Sequence, residues 1–445
     1  MKRLRTLVRD ERGVALVMAL TILLTLTGLV LAFLSVSAFE PQISRNHTDA
    51  VRARFVADSG IEYAYDQLVT LMASANPNPW DPALVGATCT TGAILGTANS
   101  TLPGLTSAAG TFTVRVRNDC KANDNKFTGA AVESAANATT DTNNKLIVTS
   151  VGTIGNTTRT ITVVVSKANF PPIDGALSFP GLQSDVNFAG SAFDIDGRDH
   201  RMSDAPGSPT GPANAVLGIS VADGAMETMV EAAVANYQNN DVRGKHQNTP
   251  NTITSGAMTI AVPPVGPNQQ TAQKITDFVN AVKGYADISI VSSPSNPYSI
   301  TGIGSTCSTN VNDSACWGTT AKPKIVYIKG DLPGASDQLT SLSVSGISEG
   351  TGILIVENGN VDISGDFRWN GPIIITGNNV GIRYQGGGNQ SVYGTTIVSE
   401  LTPFDPSLEG AVSGNGKLLY SNEALTLVRN KLLRRLVRTQ SWTDQ

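Results

Sequence analysis

From Val14 through Phe39 the chain runs without one Asp, Glu, Lys or Arg. Its 26 residues, at about 1.5 Å each, make a helix of roughly 39 Å, long enough to cross the hydrocarbon core of a bilayer. Any fold must therefore hang from one end of a long apolar helix. The residues before it carry Lys2, Arg3, Arg5, Arg9 and Arg12 against Asp10 and Glu11, the basic flank that stays on the cytoplasmic side. The expected topology is a single pass with the N-terminus inside. A secretory signal peptide has the reverse order, a shorter apolar core and then a small-residue cleavage site. Here Gly13 stands before the run, and helix-compatible sequence continues to Met72.

Beyond the run, Glu40-Pro41 is expected to bend the helix at the membrane surface, because proline lacks the amide donor and crowds the preceding turn. Ala57, Ile61, Ala64, Leu68 and Met72 then recur at three- and four-residue steps, with Arg52, Arg54, Asp58, Glu62 and Asp66 off that stripe. This is the pattern of a helix with one buried face. It ends before Asn76-Pro77-Asn78-Pro79.

At Arg12-Gly13-Val14-Ala15-Leu16-Val17-Met18 and at Arg52 to Ala64 the chain resembles the type IV prepilins, and within them the PilX-type minor pilins. The second segment is similar to the A-x-x-A-E-x-G-[IL]-E-x-A pattern of that family's N-terminal region, with Phe55 and Asp58 departing from it. The resemblance covers about the first 70 residues. It implies a basic leader cut by a prepilin peptidase between Gly13 and Val14, methylation of Val14, and a spine helix that leaves the inner membrane for a filament. Major pilins carry glutamate at the fifth mature position, where this chain has Met18. That departure favours a tip or low-copy place over the shaft. Gly28 is a weak point in the helix, costing about 1 kcal/mol relative to alanine. The partners implied are other major and minor pilins, the prepilin peptidase and the inner-membrane assembly platform. The final location implied is the cell surface or pilus. The alternative is a plain signal anchor in which Gly13 is incidental.

At 445 residues the chain is long enough for two or three domains behind the anchor. Loss of the leader, with five basic and two acidic residues, takes the formal net charge from −4 to −7. A mildly acidic exported protein is a poor nucleic-acid binder. Charged residues make up only 15%, and abundant Gly, Ser, Thr and Asn suggest strands and turns. Cys89, Cys120, Cys307 and Cys316 all lie beyond the membrane segment, where disulfides persist. Three pairings are possible, and proximity favours Cys89 with Cys120 and Cys307 with Cys316. A metal site fits poorly, since no C-x-x-C occurs and only His47, His200 and His246 are present.

The expected fold class is α+β and β-rich. Residues 1–13 are the leader and 14–76 the transmembrane and spine helix. Residues 77–170 form a small antiparallel head, with strands Thr111–Arg117, Lys145–Thr153 and Thr158–Lys167 and a polar surface loop from Asn118 to Asn144. Residues 171–320 form an α+β middle region with two helices, one around Met226, Met229, Val230, Ala233, Val234 and Tyr237, the other around Ile275, Phe278, Val279 and Val282. From 321 to 420, short strands such as Ile353–Val356 and Ile373–Ile375 recur every 20 residues or so, the mark of a β-solenoid-like domain. An irregular sandwich is the alternative. Residues 421–445 read as a basic amphipathic helix, covering the open end of that domain or lying on a membrane.

Candidate sites are few. Asp194, Asp196 and Asp199 could offer oxygens to calcium, but the EF-hand spacing is absent. Asp362 and Asp366 are the carboxylates a solenoid glycan hydrolase or lyase would use, yet they sit beside Gly365 without a supporting cationic cluster. No G-x-S-x-G, H-E-x-x-H or P-loop pattern occurs. The expectation is a non-enzymatic assembly protein without a cofactor. A head that binds a surface carbohydrate or host ligand is the second possibility.

Overall fold

The computed structural model describes residues 11–72, 78–190, 192–245, 259–266, 269–292, 296–330, 340–402, 408–432 and 436–444. It begins with one helix, α1 (Glu11–Leu71), of 61 residues, which at about 1.5 Å per residue is roughly 90 Å long. Pro41 lies inside it and does not interrupt it. In its first half every large apolar side chain from Val14 to Ile43 is at least 52% exposed. The hydroxyls there return to their own helix: Thr21 donates to the Val17 carbonyl at 2.9 Å, Thr27 to Leu23 at 2.8 Å and Ser35 to Leu31 at 2.9 Å. The polar atoms are thus satisfied without water. In the second half Ala53, Val56, Ala57, Ile61, Ala64 and Leu68 are buried. The stripe that the spacing predicts is the face that packs.

What it packs on is an antiparallel sheet. β1 (Ala93–Ile94) and β2 (Ser100–Thr101) pair with β3 (Thr111–Asn118), which pairs with β4 (Lys145–Ile154), which pairs with β5 (Thr157–Ser166). Alternate residues Phe112, Val114, Val116, Leu146, Val148, Ile161 and Val163 point at α1 and are buried with its stripe, as a period of two requires. Ile154 pairs with Thr157, so the turn is the two residues Gly155 and Asn156, with Gly155 at φ 56°.

The stretch from Asn118 to Asn144 differs from the expected surface loop. It contains a short helix, α2 (Asn125–Thr128), and buries Asn118, Asp119, Asp124 and Asp141. Arg117 holds Asp124 through both guanidinium nitrogens, and Asn118 Nδ2 donates to Glu133 at 2.9 Å and to the carbonyls of Asn137 and Thr140 at 2.8 and 2.9 Å. These polar residues satisfy one another instead of water, which lets the segment pack.

The body begins with β6 (Gly175–Phe179), β7 (Val186–Ala189), β8 (Asp194–Asp196), β9 (Leu217–Val221), α3 (Gly224–Ala233), β10 (Val242–Arg243), β11 (Ile260–Ala261), α4 (Ala272–Val282), β12 (Ile288–Val291) and β13 (Tyr298–Thr301). It continues through β14 (Lys324–Lys329), β15 (Thr340–Ser345), β16 (Ser348–Glu357), β17 (Asn360–Ile363), β18 (Phe367–Asn378), β19 (Gly381–Tyr384), β20 (Gln390–Thr402), β21 (Gly410–Ser413), β22 (Lys417–Tyr420) and α5 (Asn422–Leu432). Its strand pairs are parallel. One sheet has the path β10-β8-β22-β20-β18-β16-β14-β12, with β6, β9 and β11 branching from β20, and the other β13-β15-β17-β19-β21-β7. From β14 to β22, successive strands alternate between the sheets, and each pairs with the strand two places on.

Val326, Leu354, Ile373, Ile375 and Val398 face Val344, Val361, Ile363 and Ile382 of the second sheet in the main core. On the other face of the first sheet, Ile325, Ile353, Ile355, Ile374 and Ile397 pack against Ile275, Phe278 and Val282 of α4 and Val428 and Leu432 of α5. Burial on both faces explains the unbroken apolar runs in these strands. The long strands turn at Gly371 and Gly394, which pair with each other at φ 132° and 151°. A Cβ on Gly394 would meet the Gly371 backbone, so the corner is closed to other residues.

Two boundaries move. The segment expected as a separate middle region shares the body's core: β8 pairs with β22, β7 with β21, β12 with β14 and β13 with β15. The expected C-terminal helix stops at Leu432 and lies across a sheet face, where Val428 and Leu432 find apolar partners, and not over the open end. The chain then returns to the head as β23 (Arg438–Asp444), antiparallel to β5. Body residues thus lie between the two parts of the head sheet.

Candidate functional site

Of the residues that the leader comparison singles out, Met1 to Asp10 lie outside the described residues, while Gly13 and Val14 lie in the first turn of α1. Met18 is 62% exposed. A Cβ at Gly28 would meet nothing within 4 Å, so packing inside this chain places no demand on that glycine. Met18, Gly28 and Pro41 all belong to the half of α1 that extends beyond the head. From Val14 to Phe39 this half carries only uncharged side chains, and Glu40, Arg45 and His47 follow them on its exposed surface.

The four cysteines form two disulfides, Cys89–Cys120 and Cys307–Cys316. The first ties the loop after α1 to the end of β3. The second closes a short loop beside the buried Trp317.

Asp194, Asp196 and Asp199 do not converge on a cation. Asp196 is fully buried and takes a forked contact from Arg198 at 2.6–3.0 Å, with His200 Nε2 at 3.2 Å. Burial alone would raise its pKa, but the hydrogen bonds from His200 and Arg198 reverse this and hold it well below the usual carboxylate range. Asp194 is engaged by Arg243. Asp199 accepts the backbone amides of Ala213 at 2.8 Å and Asn422 at 2.9 Å. Protein donors thus engage at least one oxygen of each of these three carboxylates. Among the described residues no cluster of three or more His, Cys, Asp or Glu is arranged for a metal.

Asp362 and Asp366 are separated in role as well. Asp362 is paired with Arg383 on the neighbouring strand, a cation that the spacing did not reveal. Asp366 accepts the backbone amide of Asn389 at 2.8 Å, a structural use of a turn carboxylate.

A cleft of about 770 Å³ opens where the head meets the body, bordered by Asn78 and Asn144 on one side and Phe170, Lys274, Tyr420 and Arg429 on the other. The Arg429 guanidinium lies 5.4 Å from the Phe170 ring centre. Burial pushes Arg429 down and Tyr420 up, the latter to about 12, with Asp199 adding to the rise. Burial raises Asp174 too, although the Gln270 amide donates to it at 2.6 Å. Lys274 and Arg429 line the cleft together with Asp174 and Asp277, a mixed polar lining with an aromatic ring that suits a polar ligand. Two other basic residues of α5 and the tail serve the fold: Lys431 donates to the carbonyls of Thr320 and Ala321, and Arg438 stacks over Tyr285 at 4.6 Å.

Among the residues lining this cleft is a pair that no motif announced. Lys167, one residue beyond β5, contacts Asp141 with both side chains fully buried, and its Nζ lies 4.4 Å from the Trp80 ring centre. Its sequence signal was faint: a lysine directly after Val163-Val164-Val165-Ser166, where the strand is still inside the protein.

No family model matches the chain, and no curated protein matches it. Among solved structures it is similar to the crystal structure of competence-associated pilin ComZ from Thermus thermophilus, at 11% identity over 89% of this chain and 98% of that one, with a TM-score of 0.27. A superposition that loose carries no argument about this chain.

Proposed function

We propose that the protein is a minor pilin or pilin-like component of a type IV pilus or related assembly machine. The observation that carries this reading is the division of α1. One helix of sufficient length and hydropathy to span a membrane continues without a break into a buried spine under an antiparallel sheet. A simple anchor needs only the first half. A subunit that must trade lipid for neighbouring helices needs a rigid connection between both, and a continuous α1 supplies it.

In this reading prepilin peptidase cuts between Gly13 and Val14, Val14 is methylated, and the apolar half then packs against other pilins. Met18 offers a neighbouring subunit's N-terminal amine no glutamate of the kind a shaft subunit carries, and the large body favours a place at or near the tip. The alternating parallel strands are read as a β-solenoid-like stack that displays the surface. The protein acts by extraction and packing, not by catalysis. The cleft at Arg429 supports a second reading that is compatible with the first, a head that binds a surface carbohydrate.

The test is replacement of Gly13 by Asp. The unprocessed protein is expected in the membrane fraction and absent from sheared surface filaments. Its unchanged appearance in those filaments would sink the assignment.

A further inference from the structure

We propose that Lys167 and Asp141 are joined by an isopeptide bond, formed within the folded head by condensation of Lys167 Nζ onto Asp141 Cγ with loss of one water. The reactants are already placed. Both side chains are 0% exposed and in direct contact. Trp80, itself buried and fixed by its indole N–H donating to the Leu68 carbonyl at 3.1 Å, lies against Nζ. The Lys167 amide donates to the Asn144 carbonyl at 3.0 Å and the Lys145 amide to Asp141 Oδ1 at 3.2 Å, so the Lys167 backbone and the Asp141 carboxylate are each held by a backbone group at the start of β4. Fixing a nucleophile against its electrophile in this way removes most of the entropic barrier to reaction.

Burial works in the same direction. It lowers the pKa of Lys167 and raises that of Asp141, in each case against the attraction of the partner's charge. The pair is thereby moved toward free amine and neutral acid, the two forms that condense. A desolvated lysine is also the better nucleophile.

The atoms balance without a co-reactant. The ammonium proton passes to the Asp141 carboxylate, giving amine and carboxylic acid. Nζ adds to Cγ, the bond from Cγ to the hydroxyl breaks, and the hydroxyl leaves as water with a second proton from Nζ. Two further carboxylates, Asp81 and Glu133, act on the pair through their charge and are themselves held by backbone amides. Asp81 Oδ1 accepts the Asp141 amide at 3.0 Å, and Glu133 Oε1 accepts those of Thr142 and Asn143 at 3.0 and 2.8 Å. The product keeps one amide donor and replaces a buried ion pair, whose desolvation is costly, by a neutral group.

The position gives the bond a use. Lys167 is where the chain leaves β5 for the body, so a pull on the body reaches the head sheet at this residue as well as through β23. A covalent link to the segment before β4 spreads that load over two strands. The proposal stands on the head alone and does not depend on the filament reading.

The test is mass spectrometry of the full chain, purified in detergent, with disulfides reduced and blocked. Its mass is expected one water below that calculated from its sequenced N-terminus, and a digest is expected to contain one branched peptide joining Lys167 to Asp141. The Lys167→Arg variant is expected at full mass. Recovery of the wild-type Lys167 and Asp141 segments as separate, unmodified peptides would overturn the proposal. So would a water loss found as a cyclic imide at Asp141 without a branch.

Discussion

Gly152 of β4 lies directly beneath Ala53 and Ala57 of α1: a Cβ at position 152 would run into the Ala53 carbonyl and the Ala57 amide. Helix and sheet therefore touch backbone to backbone at this point. Gly60, one turn further on, meets the side chains of Ser150 and Phe112 in the same way. Neither glycine has a left-handed backbone. Each is required for space alone.

Gly152→Val is expected to destabilise the head by more than the roughly 1–3 kcal/mol usual for an overpacked core, because the obstruction is backbone and cannot turn aside. Gly60→Ala should cost less, since Ser150 Oγ can rotate. Thermal unfolding of the two variants checks the order, and equal losses would show that α1 shifts as a rigid rod.

The C-terminal strand makes a second prediction. β23 covers β5 from Ser166 to Ile161, and the Tyr65 hydroxyl of α1 donates to the Val437 carbonyl at 2.7 Å. Ending the chain after Leu432 leaves β5 as an open edge, which exposes unpaired amides and carbonyls. Amide exchange along β5 should rise sharply in that truncation while β16 and β18 stay protected. Unchanged protection of β5 would mean that the head closes without the tail.

What the sequence made legible was local. Ala57, Ile61, Ala64 and Leu68 announce a buried helix face, and β3, β4 and β5 announce themselves by alternation and a two-residue turn, because in each case the period within the element itself shows which side is buried, whatever covers it. The apolar runs at Ile353 and Ile373 announce strands buried on both faces. Pairing across long separations left little trace. β8 has three residues, and its partner β22 pairs Lys417 with Asp194, so no period links them. β23 carries Trp442 at 46% exposure among polar residues, which reads as a tail until β5 is seen beside it. The charged residues misled for the same reason. Asp194 and Asp196 resemble a cation loop until Arg243 and Arg198 are placed next to them, and only the fold places Arg243.

The two disulfides should differ in worth. Cys89–Cys120 spans 31 residues and Cys307–Cys316 spans 9. In the chain-entropy account the longer loop restrains the unfolded chain more, giving about 3.5 kcal/mol against about 2.5 kcal/mol. Double Cys→Ala variants, compared by urea unfolding under oxidising conditions, should show the larger loss for the head bridge. The reverse order would point to strain or residual unfolded structure as the controlling factor.

Acid unfolding offers the last measurement. Asp196 has its pKa depressed in the folded protein, after burial is outweighed by the hydrogen bonds from His200 and Arg198. Its unfolded value is about 3.9, so its contribution is fully present above that pH and is lost as pH falls through the folded value. Asp196→Asn leaves Arg198 and the neighbouring Arg243 facing a neutral amide. Breaking a buried pair in this way costs about 3–5 kcal/mol, a figure to be lowered somewhat because the Arg198 side chain is 19% exposed. Urea unfolding of both proteins should show that difference at pH 7 and a smaller one near pH 3. A gap of equal size at the two pH values would mean that the carboxylate charge is not what holds β8 to β10, and that the side chain matters there through its shape.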